Sequence, residues 1–105
     1  MDRGFELYMG HTGNAWSQNA ARRRAGWLCE QARGRVLDVG CSQALLPWLL
    51  GHRGLNVTGV DMDREARAWA TKKLATAAPE ARANIRLVRE DFLNFAPGEL
   101  FDTIV

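Results

Sequence analysis

One hundred and five residues leave room for one small domain. With 47% hydrophobic and 25% charged residues the composition is globular, which excludes a disordered tail, a collagen-like repeat and a mucin-like stalk. Fourteen basic residues against twelve acidic give a formal net charge of +2, too slight to signal a nucleic-acid partner. No apolar run is long enough to span a membrane, and Met1-Asp2-Arg3-Gly4 opens the chain without the apolar stretch of a secretory signal. Cys29 and Cys41 are too few for a disulfide framework and fit a reducing cytoplasm. His11 and His52 are the only histidines, and neither CxxC nor HxxxH spacing occurs, so no metal site is expected.

The first nineteen residues are polar and glycine-bearing with scattered aromatics, and read as an irregular arm. Asn19 suits the cap of a helix that turns Ala21, Ala25, Leu28 and Ala32 inward and stops near Gly34. The Arg22-Arg23-Arg24 run on it reads as a solvated face. Residues 1–33 therefore form an arm and first helix ahead of a unit over residues 34–105. Arg35-Val36-Leu37-Asp38-Val39, bounded by Gly34 and Gly40, is too short for a helix and suits a strand buried on both faces. Residues 44–50 read as a helix that tolerates Pro47 in its first turn.

Residues 56–61 form a second strand, β-branched and ending on Asp61. Asp63 caps a helix running to about Ala77, with Ala66, Trp69, Ala70, Lys73 and Leu74 on its buried stripe, and Pro79 closes that segment. Residues 84–88 are a third strand. A short helical or irregular stretch, Leu93-Asn94-Phe95, is ended by Pro97-Gly98, and residues 101–105 begin a fourth strand. Strands alternating with helices argue for right-handed crossovers and a parallel sheet.

A strand, a glycine turn, a helix, and an acid ending the next strand about twenty positions after Gly40 make the mononucleotide-binding layout. Asp61 offers two acceptor oxygens to vicinal ribose hydroxyls, and the turn lets a ligand approach the backbone. A dinucleotide loop wants G-x-G-x-x-G. From Gly40 the chain reads Gly40-Cys41-Ser42-Gln43-Ala44-Leu45, with serine and leucine at the second and third glycine positions. An NAD-dependent oxidoreductase is therefore disfavoured.

Residues 36–44 instead resemble motif I of the class I S-adenosylmethionine-dependent methyltransferases. Asp38 and Gly40 match that motif, while Ser42 and Ala44 stand in for its later glycines. Each adds a Cβ that disfavours positive φ, so a variant of the loop is expected in place of an intact one. Residues 57–63 resemble the family's second strand and ribose-binding acid, residues 88–92 the segment that meets adenine, and residues 101–105 the fourth strand. The matches run from Gly34 to Val105 in the family's order. They imply an α/β, Rossmann-like parallel sheet with helices on both faces, truncated after the start of its fourth strand.

S-adenosyl-L-methionine is the cofactor the resemblance implies. Gly40 and Ser42 would lie against its methionine part, with Asp38 near the amino group. Asp61 would accept from both ribose hydroxyls and Met62 would pack on an adenine face. Asp91 would accept from the adenine amino group, and the Phe92 amide would donate to the ring. In the family the catalytic and acceptor-binding residues follow the fourth strand of a seven-stranded sheet. The chain is therefore expected to be the cofactor-binding half of a methyltransferase, inactive alone, with catalytic residues and methyl acceptor unassigned. The alternative is a non-catalytic module that completes its sheet with a partner at the exposed strand edge, an edge also open to self-association. Cys41 reads as filler in the loop. Tyr8, His11, Thr12 and Trp16 either close over the cofactor or pack on the sheet edge.

Overall fold

The computed structural model describes residues 3–95 and 98–105. In chain order its elements are α1 (Gly4–Tyr8), α2 (Ala15–Gln31), β1 (Val36–Val39), α3 (Leu45–His52), β2 (Val57–Asp61), α4 (Arg64–Leu74), α5 (Pro79–Ala83), β3 (Ile85–Arg89), a 3₁₀ turn (Phe92–Asn94) and β4 (Thr103–Ile104). The four strands form one sheet in the order β3-β2-β1-β4, and every neighbouring pair is parallel. This is the parallel α/β sheet expected from the alternation of elements, in the Rossmann-like form that the family resemblance implies.

Registers follow the buried runs. Val36 pairs with Val57, and Asp38 lies opposite Gly59. Val36, Leu37, Val57 and Val60 are all buried, as strands covered on both sides require. Cys29 and Ala32 from α2, Leu46 and Leu50 from α3, and Val36 and Val57 from the sheet make one continuous core. α3 also contacts α5, β2 and β3, and α2 packs on α3.

Three expectations about local structure are corrected. The arm is not irregular throughout, because residues 4–8 form α1. The second helix starts at Ala15, capped by Asn14 in a reciprocal capping box with Ser17, so Asn19 lies inside the helix. Pro79 does more than close the segment before it. Helix α4 already ends at Leu74, and Pro79 takes the first position of α5, where its missing N–H costs nothing. Pro97, expected to end the 3₁₀ stretch, lies outside the described residues.

Candidate functional site

The chain runs from β1 outward through β2 to β3 and then crosses back to β4 on the other side of β1. Strand order thus reverses at β1, and ligands of such sheets bind in the crevice at that reversal, beyond the carboxyl ends of the strands. A pocket of about 370 Å³ lies there, within the usual range for small-ligand sites. Its walls include Asp38, Val39, Gly40 and Ser42 from the head of β1, Val105 after β4, and Ala21, Arg24, Ala25 and Leu28 from α2.

The loop between β1 and α3 keeps a left-handed backbone at all three family positions: φ is 72° at Gly40, 50° at Ser42 and 66° at Ala44. The expected variant turn is not found. Serine and alanine occupy the conformation glycine prefers, each at a cost of ~1 kcal/mol. Hydrogen bonds hold the loop in place. The Gly40 and Cys41 amides both donate to the Val60 carbonyl (2.8 and 3.1 Å), and the Ala44 amide donates to the Cys41 carbonyl (2.8 Å). Ala44→Gly is expected to relieve this strain and raise stability by about 0.5–1 kcal/mol, read as a higher midpoint in thermal melts. An unchanged or lower midpoint would show that the loop carries no strain at Ala44.

Gly59 explains how the loop can lie on β2. A Cβ built there would sit 2.9 Å from the Cys41 sulfur and 3.2 Å from Pro47 Cγ. A Cβ built on Gly40, in contrast, meets nothing within 4 Å, so the space above it is open to a ligand.

Asp61 ends β2 beside this loop. Its Oδ2 accepts from the Ser42 amide (2.7 Å) and its Oδ1 from the Asp63 amide (2.8 Å), which leaves each oxygen a further acceptor site. Asp63 then caps α4, accepting from Glu65 and Ala66. Asp38 is buried in β1. Burial pushes its carboxyl up from 3.8 to about 7; the Arg24 guanidinium opposes that shift and the Asp61 charge adds to it. Burial, together with the Asp38 and Asp61 charges, pushes the Cys41 thiol up to about 12, so it is no nucleophile at neutral pH.

Asp38, Gly40 and Ser42 therefore share one pocket, and Asp61 joins them through the Ser42 amide. Met62, Asp91 and Phe92 lie along the same edge of the sheet, outside that pocket's lining. The Glu90 amide donates to the Asp61 carbonyl (3.1 Å), which sets the end of β3 beside the end of β2. Met62 is 60% and Phe92 46% exposed, so neither is a core residue. Asp91 caps the 3₁₀ turn through Leu93.

A family model described as a methyltransferase domain matches residues 36–105. The chain belongs to this family. Among curated relatives, a ubiquinone biosynthesis O-methyltransferase of Cronobacter sakazakii is 43% identical over 51 residues, covering 45% of this chain and 21% of the relative. An rRNA adenine N-6-methyltransferase of Corynebacterium diphtheriae is 31% identical over 68 residues, covering 65% and 24%. The crystal structure of the glycopeptide N-methyltransferase MtfA complexed with (S)-adenosyl-L-methionine superposes with a TM-score of 0.69 at 25% identity, covering 78% of this chain and 34% of that one. The chain thus spans about a fifth to a third of the length of these relatives.

Two residues of this methyltransferase domain escaped sequence reasoning. Arg24 belongs to the Arg22-Arg23-Arg24 run and is exposed, yet it lines the same pocket as Asp38. Its place three residues after Ala21 and four before Leu28, both pocket residues, was the available signal. Gln43 fills no motif position but is fully buried and hydrogen-bonded to the arm. Nothing local in the sequence could have pointed to it. Of the arm residues, Tyr8 receives the Arg22 guanidinium on its carbonyl (3.0 Å), and Trp16 is exposed on α2.

Proposed function

We propose that this chain is the S-adenosyl-L-methionine-binding part of a methyltransferase. The observation that carries the reading is Asp61, at the tip of β2, with one amide on each carboxylate oxygen and one acceptor site left on each. Two vicinal ribose hydroxyls would fill those sites. Asp38 suits a ligand ammonium, since a buried carboxylate near neutrality gains most from an incoming positive charge. The open space above Gly40, in the pocket that Ser42 also lines, would take the methionine chain. Met62 and Phe92 offer apolar surface, and Asp91 a carboxylate, at the edge where adenine would lie. Bound S-adenosylmethionine supplies an electrophilic methyl group on a sulfonium.

Methyltransferases whose names differ widely, one of ubiquinone biosynthesis, one of an rRNA adenine and one of a glycopeptide, each match part of this chain. What they share there supports a role in holding the methyl donor. Leu45, at the position where a dinucleotide loop needs its third glycine, lines the pocket wall and favours the same choice. Among the described residues no helix is long and apolar enough to cross a membrane. Both cysteines are free, which supports a cytoplasmic setting.

The deciding experiment is thermal shift with calorimetry against S-adenosylmethionine, S-adenosylhomocysteine and NAD. The first two are expected to stabilise the fold, by about 2.7 kcal/mol at a hundredfold excess over Kd. A shift with NAD alone, or with none of the three, would overturn the reading.

A further inference from the structure

Gln43 stands between Ser42 and Ala44, the two loop residues held left-handed without being glycine, and is only 2% exposed. Its Oε1 accepts from the Phe5 and Glu6 amides (3.1 and 3.2 Å), and its Nε2 donates to the Glu6 carboxylate (3.0 Å). Both amides belong to the first turn of α1, where helix geometry provides no acceptor, so the Gln43 side chain supplies what the helix cannot. A five-residue helix does not persist alone in water. Phe5 seats it: its ring lies 5.5 Å from Trp48 and 5.2 Å from Trp69, with the Lys73 ammonium 5.7 Å from its centroid. The arm and the strained loop are therefore joined through one buried side chain that bridges 38 residues of sequence.

We propose that Gln43 is a positioning residue that couples docking of α1 to the shape of the cofactor loop. With α1 seated, Ser42 and Ala44 are held left-handed and the Ser42 amide is presented to Asp61. With α1 undocked, the Gln43 side chain loses its three hydrogen bonds to the arm, and the loop, left with only its bonds to Asp61, Val60 and Cys41, relaxes toward right-handed backbone. The inference rests on the cofactor reading above and extends it to the N-terminal arm. Reciprocity makes it testable from either end, since the factor by which a docked arm tightens cofactor binding is the factor by which cofactor tightens arm docking.

Residue-resolved hydrogen exchange on the unmodified chain reads the coupling directly, because protection of the Phe5 and Glu6 amides depends on Gln43. Saturating S-adenosylmethionine is expected to raise that protection about tenfold or more. If the ligand binds and these amides are unchanged, the coupling is overturned and the cofactor reading stands. If the ligand does not bind, both fall. Variants supply an independent arm. Gln43→Glu keeps an acceptor for the two amides but sets a second carboxylate against Glu6, and is expected to weaken S-adenosylmethionine binding about tenfold. Adding Glu6→Gln restores the donor–acceptor pair and is expected to restore affinity. Phe5→Ala, remote from the pocket lining, is expected to weaken binding by a similar factor with the loop sequence intact. Parental affinity in the Gln43→Glu or Phe5→Ala chains would overturn the proposal, as would a swapped pair that melts like the parent yet binds no better than the single variant.

Discussion

Replacing Asp61 by alanine is expected to abolish S-adenosylmethionine binding and to lower the melting temperature of the free chain. The two effects come from the same four acceptor sites. Two of them hold the Ser42 and Asp63 amides, and their loss frees one donor in the strained loop and one at the start of α4. Hydrogen bonds to a charged group contribute about 1.5–3 kcal/mol each, less where solvent reaches them, so about 2 kcal/mol of stability is at stake. For a chain of this size that corresponds to roughly 8 °C. The other two sites are those offered to the ribose, and losing them is expected to weaken binding at least ~100-fold. Asp61→Asn has one carbonyl oxygen for two amides and is expected to fall between the parent and the alanine variant. Calorimetry at matched temperature, alongside circular dichroism melts, separates the effects. An alanine variant that binds like the parent would end the ribose assignment.

A second large effect is expected in the pH dependence of binding. Asp38 titrates at about 7 in the folded chain and near 3.8 in the unfolded one, chiefly because it is buried. Between those values the folded state holds a proton that the unfolded state has released. Stability of the free chain therefore falls as pH rises from about 4 to about 7, and levels off above. A ligand ammonium pairs with the ionised form, so affinity is expected to climb by up to about tenfold per pH unit below 7 and to plateau above it. Asp38→Asn removes both trends: binding becomes weak and flat with pH, and the free chain melts higher than the parent at pH 8 because no charge need be buried. Titrations from pH 5.5 to 8.5 check this. A parent affinity independent of pH would show that Asp38 does not meet the ligand's amino group.

The sheet was legible because its signals are local. Arg35-Val36-Leu37-Asp38-Val39 between two glycines, and the run ending at Asp61, admit no other element at that length, and parallel pairing follows from the helices between them. Helix starts were harder because two residues compete for one role. Asn14 and Asn19 are both competent caps, and the exposed Trp16 between them breaks the apolar pattern that would have favoured the earlier one. A proline can stop one helix or start the next through the same missing N–H, and sequence alone does not say that Pro79 does the second. The loop backbone departs from the sequence expectation for a clearer reason. The cost of a Cβ at Ser42 and Ala44 is a local quantity, whereas the bonds from Asp61, Val60 and the arm that outweigh it come from residues far along the chain. The same distance hid Gln43.

The parallel ladder is uneven. β2 pairs along the whole of β1 and the whole of β3, whereas β4 meets β1 only at Val36 and Leu37. Val105, whose carbonyl accepts from the Val39 amide, closes a side of the crevice from that weakly held strand. Asp38 and Asp61 thus stand on the fully paired part of the ladder, and the amides of β1 and β2 beneath them are expected to be among the slowest to exchange in the chain.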